Sequence, residues 1–218
     1  MRFRIDLKIF IFLILFYFTR QIEIYAMIMI FAIIHELGHL LTGLLMGMKP
    51  EKIEIMPFGL SIAFRINAKD YNKKIKKANL LEIKKIIVAL AGPITNFIII
   101  LITINLRLNL IKSILIIYTN FLIMIFNLLP IYPLDGGRIL KGLLRIFMNK
   151  RKTERYINII SKITVIAITA ISSVLILYIQ NIAVLLINLY LWYLIIREDK
   201  IYKNREKIWQ KILENNTI

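Results

Sequence analysis

Long apolar runs, separated by short polar and basic intervals, dominate the chain. The four clearest occupy residues 86–106, 108–129, 163–179 and 182–196, and Lys112 is the one charged residue among them. A helix needs about 20 mostly apolar residues to cross a bilayer, and these runs approach or reach that length. The pattern therefore predicts transmembrane helices rather than the alternating faces of soluble helices.

Two further apolar segments precede these runs. Residues 9–18 are uninterrupted but short, and a span from Ile5 to Tyr25 becomes long enough if Lys8 extends to the interface. A second helix is predicted from about Ile22 to Met48. Since 59% of the chain is hydrophobic, too little polar sequence remains to cover the core of a soluble protein. The expected fold is an all-α polytopic membrane protein with about six transmembrane helices.

One polar interval departs from the helical pattern. From Lys52 to Ile66, apolar and polar residues alternate with a period of two around Pro57 and Gly59, which predicts two short strands across a turn. We expect a small membrane-associated β-hairpin after the second helix. Residues 67–79, which follow, are predicted to be a solvated basic loop.

The formal net charge of +17 is concentrated in a few zones. Most Lys and Arg residues lie in segments 2–8, 49–85, 138–162 and 197–211. A cytoplasmic position for all four satisfies the positive-inside rule, with both termini cytoplasmic. Contact with anionic lipid explains the charge without a nucleic-acid partner. We expect one transmembrane domain, residues 1–197 with a catalytic core at about 22–140, and a short charged cytoplasmic tail, 198–218.

Both histidines of the chain lie inside the second apolar helix. His35 and His39 are four residues apart, so they project from one helix face and could share one zinc ion, with Glu36 at the edge of that face. A carboxylate there could accept a proton from water without binding the metal. The alternative is a pair of buried histidines hydrogen-bonded to backbone, with Glu36 as a partner.

A third ligand is predicted from the count of available donors. The chain has no cysteine and no other histidine, and Asp135 is the one acid between Glu82 and Glu154. It sits in a Pro/Gly-broken turn at the cytoplasmic end of the fourth helix, at a depth that suits the two histidines. The alternative is an aspartate that merely ends the helix.

Three motifs together resemble the site-2 protease family of intramembrane zinc metalloproteases. They are His35-Glu36-Leu37-Gly38-His39, "AGPITN" at 91–96 and "NLLPIYPLDGG" at 127–137, and "PFG" at 57–59 is similar to the sporulation-type branch. The resemblance implies one zinc per chain on His35, His39 and Asp135, with Glu36 as the catalytic base. It also implies a bacterial cell membrane and cleavage of a membrane-associated protein near the cytoplasmic face, with a sigma-factor precursor as substrate and inhibitory membrane partners.

Substrate binding is predicted less directly. The strand edge in residues 52–66, with Pro57, Phe58 and Gly59, could hold an extended substrate by strand addition, or the hairpin could be structural only. Asn127 could hydrogen-bond a substrate backbone or cap its helix, and the role of Asn96 is open. Two alternative functions stay open. One is a housekeeping protease of the same family, and the other is a non-catalytic zinc-binding scaffold or transporter.

Overall fold

Helices make up most of the chain in the computed structural model, which describes residues 2–5, 10, 14, 17, 18, 22–56, 59–65, 75–106, 110–179 and 182–215. The elements are β1 (Arg2–Ile5), α1 (Ile22–Leu45), β2 (Lys49–Met56), β3 (Gly59–Arg65), α2 (Ile75–Asn105), α3 (Leu110–Leu128), α4 (Asp135–Phe147), α5 (Lys150–Ile179) and α6 (Ile182–Asn215).

The helices agree with the apolar pattern, with two corrections. Helix α2 begins at Ile75, so the last residues of the predicted basic loop are helical, which suits their lysines and alanine. Ile5 was predicted to open a helix but belongs to strand β1. Most of the predicted first span lies outside the described residues, although residues 10, 14, 17 and 18 are helical.

Three segments in the described part of the chain are long and apolar enough to cross a membrane. They are Ile22–Leu45, Asn79–Asn105 and Lys150–Val174, and Ser113–Leu128 is a shorter apolar helix. Helix α6 begins apolar and continues into the charged segment after Ile196. The structure thus supports a membrane protein, while six spans and cytoplasmic termini stay predictions.

Two strands of a three-stranded sheet occupy the interval in which alternation predicted strands. Strands β2 and β3 are antiparallel, and β1 pairs parallel to β2 on its other side. The pairing of β2 with β3 shifts register between Pro50 and Lys52, near a residue that has no backbone N–H to donate. The sequence did not predict β1, because a four-residue strand carries too short a pattern. Residues 57 and 58 lie outside the described part.

The first compact unit is Met1–Leu128, and glycines allow close backbone approach within it. A Cβ added at Gly38 would collide with Thr95 Oγ1, and one at Gly43 would collide with the ring of Phe64. Glycines therefore let α1 pack tightly against α2 on one side and the sheet on the other. Lys84 Nζ donates to Met46 O over 2.8 Å, which satisfies a carbonyl just past the end of α1.

The second compact unit, Leu129–Ile218, is built on α4, α5 and α6. Leu191 and Val165 are fully buried, and Trp192 Nε1 donates to Thr169 Oγ1 over 3.0 Å. Ion pairs join the charged ends of the two long helices, including Arg151 with Glu206 at 3.0 Å. Because Arg151 lies in the first turn of α5 and Glu206 lies in the C-terminal part of α6, the two helices run antiparallel.

Asp199 forms two further ion pairs in this unit. Lys162 and Lys203 contact its two carboxylate oxygens at 2.5 and 2.8 Å, and Asn158 Nδ2 donates to it over 2.9 Å. Burial opposes its ionisation, but these hydrogen bonds outweigh burial and hold the pKa of the Asp199 carboxyl well below its ordinary value.

We expect Asp199→Asn to lower the melting temperature of the purified protein by a few degrees at neutral pH. Because the pKa of Asp199 is lowered in the fold, its stabilisation is present above the ordinary carboxyl range and is lost as the pH falls below about 4. The gap between variant and wild type should therefore shrink on acidification in melts from pH 7 to 3. Lys200→Gln, at an exposed neighbour, is the control. A gap that does not vary with pH would contradict this role.

Candidate metal centre

Two imidazole rings lie next to each other on helix α1, with their planes nearly perpendicular. His35 and His39 are one turn apart, only 2% and 3% exposed, and their Nε2 atoms are 3.1 Å apart. Ile and Leu residues surround them in the sequence, so neither ring can rely on bulk water for its hydrogen bonds. Their protein partners therefore determine the proton positions.

The Nδ1 atom of each ring has an acceptor. His39 Nδ1 donates to the backbone carbonyl of Val88 over 2.6 Å, and His35 Nδ1 donates to the side-chain oxygen of Asn96. Since a carbonyl oxygen only accepts, each Nδ1 carries a proton and each neutral ring has its lone pair on Nε2. The two Nε2 atoms, 3.1 Å apart, can then offer their lone pairs to one shared cation. The arrangement thus fits a metal ion.

Helix α2 supplies these acceptors because of one glycine. A Cβ added at Gly92 would collide with Nε2 of both His35 and His39. Gly92 therefore allows the backbone of α2 to pass directly beside the two rings while Val88 and Asn96, one turn on either side, bond their Nδ1 atoms. "AGPITN" was recognised in the sequence as a motif, but this use of its glycine was not.

Asp135 is held in the second unit as the first residue of α4. It is 4% exposed, and Arg138 Nη1 is 3.5 Å from its Oδ1. Ser161 stabilises the turn before it, because the Ser161 hydroxyl accepts a hydrogen bond from the Tyr132 N–H over 3.0 Å. A Cβ at Gly137 would collide with the backbone of Ile131 and Tyr132, so this glycine lets α4 begin tightly against the turn.

His35, His39 and Asp135 form a potential metal-binding group of buried side chains. Two imidazoles and one carboxylate are a donor set that zinc uses at catalytic sites, where three protein ligands leave one position open. The set contains no thiolate, as expected for a chain without cysteine. The residues present therefore fit zinc.

The other residues proposed from the sequence have varied placements. Glu36 is partly buried on α1, directly after His35. Asn127 Nδ2 donates to Ile123 O over 3.0 Å, within its own helix. Gly59 begins β3, while Pro57 and Phe58 lie outside the described residues. Their roles in substrate binding stay predictions.

Sequence reasoning missed Asn120. Its Oδ1 accepts from Asn96 Nδ2 over 2.8 Å, and both asparagines are 0% exposed. A signal was available, because an asparagine in the middle of an apolar helix is costly unless it is bonded.

A family model, a curated relative and a solved structure are similar to this chain. The model of peptidase family M50 matches residues 23–113 and 107–171. A zinc metalloprotease of Methanocaldococcus jannaschii is 32% identical over 128 residues, which are 56% of this chain and 34% of the relative. The chain thus spans about a third of that relative's length. The solved site-2 protease of the same organism superposes with a TM-score of 0.60 over 89% of this chain and 88% of that one, at 23% identity, and so has a similar fold.

We expect Gly92→Ala to weaken zinc binding at least tenfold, because its methyl group would enter the space between the two imidazoles. Alanine favours a helix over glycine, so the helix content should be preserved. Competition with a chromophoric chelator measures the affinity, and circular dichroism measures the helix. Asn105→Ala, at an exposed position of α2, is the control. Undiminished affinity in Gly92→Ala would show that the rings do not bind the metal where the structure has them.

Proposed function

Because the chain belongs to peptidase family M50, we propose that it is an intramembrane zinc endopeptidase that cleaves a membrane-associated protein near the cytoplasmic face. The observation that carries this proposal is the buried group of His35, His39 and Asp135, with Glu36 adjacent to the first of them. The three membrane-length segments support a site within or close to the bilayer.

His35, His39 and Asp135 are the residues that would hold the metal. Zinc, when bound, supplies Lewis-acid chemistry, acidifying water and polarising a carbonyl. The protein's own contribution is preorganisation. Both Nδ1 protons are committed to acceptors on α2, so the Nε2 lone pairs converge before any ligand arrives.

Glu36 is the general base of the proposed reaction. It follows His35 and lies about 100° around the helix from it, so its carboxylate reaches the same region without replacing a ligand. It accepts a proton from the attacking water and returns it to the leaving amine nitrogen as the peptide bond breaks. Its partial burial is compatible with both an apolar setting and access to water.

The substrate must be unwound before cleavage, because a helix hides its carbonyls in its own hydrogen bonds. In the described part of the chain, β3 is an edge strand of the β1–β2–β3 sheet. The extended substrate binds along the outer edge of β3 by strand addition. Pro57, Phe58 and Gly59 precede or begin that edge. We assign Asn127 Oδ1 as an acceptor for a substrate backbone N–H.

A narrower assignment rests on the sequence. The "PFG" at residues 57–59 resembles the sporulation-type branch, and supports a bacterial cell membrane, a sigma-factor precursor as substrate and inhibitory membrane partners. The four basic zones support cytoplasmic termini. Co-expression with a membrane-tethered sigma-factor precursor tests the substrate, since processing should require an intact Glu36. Cleavage of other membrane proteins but not of precursors would favour a housekeeping role.

We expect Glu36→Gln to bind zinc with unchanged affinity and to lose peptide cleavage by about two to four orders of magnitude, the contribution typical of a general base. Metal content and cleavage of a co-reconstituted membrane substrate are measured together. Glu23→Gln is the matched control, since Glu23 is an exposed carboxylate on the same helix. If Glu36→Gln cleaved as fast as wild type, the protease assignment would be wrong.

Asp135→Ala should lose both zinc affinity and cleavage, because it removes one of three ligands. The same metal and cleavage assays distinguish this pattern from that of Glu36→Gln. Zinc bound normally by Asp135→Ala would exclude Asp135 as a ligand. Wild-type protein that binds zinc and cleaves no membrane protein would favour the non-catalytic scaffold.

A further inference from the structure

A chain of buried amides extends from His35 across two helices. His35 Nδ1 donates to Asn96 Oδ1, Asn96 Nδ2 donates to Asn120 Oδ1 over 2.8 Å, and Asn120 Nδ2 donates to the backbone carbonyl of Ile116 over 2.9 Å. Asn96 and Asn120 are both 0% exposed. Bulk water therefore cannot replace a missing member of the chain.

The direction of every bond in this chain follows from its last acceptor. The Ile116 carbonyl only accepts, so the Asn120 atom facing it is the NH₂ group and the atom facing Asn96 is an oxygen. That oxygen in turn requires the Asn96 NH₂ group, which directs Asn96 Oδ1 at His35. An amide's two ends are otherwise nearly interchangeable in shape, and only such a network distinguishes them.

We propose that Asn120 is a positioning residue that selects the tautomer of His35 through Asn96. This inference rests on the proposed metal site, because it concerns how one of its ligands is prepared. His39 needs no such relay, since Val88 O contacts its Nδ1 directly. A backbone carbonyl thus orients the His39 ring directly. The His35 ring is oriented by a backbone carbonyl through two intervening amides.

Loss of the Asn120 side chain would remove the acceptor of the Asn96 Nδ2 hydrogen bond, and that bond fixes the orientation of the Asn96 amide. A flipped Asn96 presents NH₂ to His35 Nδ1, so the ring becomes an acceptor there and carries its proton on Nε2. That proton occupies the position of the metal-binding lone pair. Metal binding then first requires proton displacement or an amide flip in a buried site, which weakens affinity.

The tautomers can be read directly in the metal-free protein. The chain has two histidines, so ¹⁵N-histidine labelling yields two imidazoles to assign. In wild type, both should be protonated on Nδ1. In Asn120→Leu, His35 should shift toward the Nε2-protonated form while His39 stays unchanged as an internal control. An unchanged His35, or an equal change in both rings, would overturn the proposal.

Zinc affinity gives a second readout. We expect Asn120→Leu to bind zinc about 10–100-fold more weakly. Asn120→Asp should recover most of this loss, because a buried, protonated carboxyl donates to Ile116 O and accepts from Asn96 as the amide does. Asn105→Leu is the matched control, since Asn105 makes the same bond to the carbonyl four residues earlier but is exposed. Equal losses in the Leu and Asp variants would contradict the relay.

A suppressor variant separates the relay from general damage to the fold. Asn96→Asp places an acceptor-only carboxylate beside His35 Nδ1 and so makes Asn120 unnecessary for the tautomer. Asn96→Asp combined with Asn120→Leu should therefore restore the Nδ1-protonated His35, and failure to do so would count against the proposal. Because the tautomer is measured without zinc or substrate, a normal relay in a protein without protease activity would refute the proposed function alone.

Discussion

The site depends on the requirement that every polar atom of two buried imidazoles be satisfied in an apolar setting. An unbonded nitrogen there would cost several kcal/mol, so the helices around α1 are arranged to supply acceptors. Val88 O accepts a hydrogen bond from His39 Nδ1, and Asn96 Oδ1 accepts one from His35 Nδ1. The two Nε2 atoms are 3.1 Å apart. The same bonds that make burial tolerable leave a lone-pair cluster suited to a cation.

Small side chains at helix contacts make these bonds possible. Gly92 brings the backbone of α2 beside the rings, and Gly38 and Gly43 bring α1 close to α2 and to the sheet. Transmembrane helices gain little from hydrophobic association, so close van der Waals packing and interhelical hydrogen bonds hold them together. Binding geometry and helix packing are therefore produced by the same contacts. A substitution that loosens one is expected to disturb the other.

The sequence was informative wherever a residue was chemically rare. Two histidines four apart, no cysteine and a single acid in a long apolar stretch were enough to name the potential ligand group of His35, His39 and Asp135. Apolar runs located the helices, since burial in lipid or protein imposes continuous hydrophobicity. Strand β1 was missed, because four residues carry no periodicity long enough to detect. The helical start of α2 at Ile75 was missed because its lysines are equally suited to a solvated loop.

By itself, then, the sequence determined the apolar segments and the metal-binding chemistry, because residue type limits where a side chain can be buried and which atoms can donate to a metal. Only the tertiary structure decided how the ligands are oriented. The sequence places Asn96, Asn120 and Val88 in apolar helices, but it does not show which atoms they contact across α1, α2 and α3. A hydrogen bond forms only when its two atoms are placed to within a few tenths of an ångström. For atoms on distant segments of the chain, no local sequence pattern records that placement.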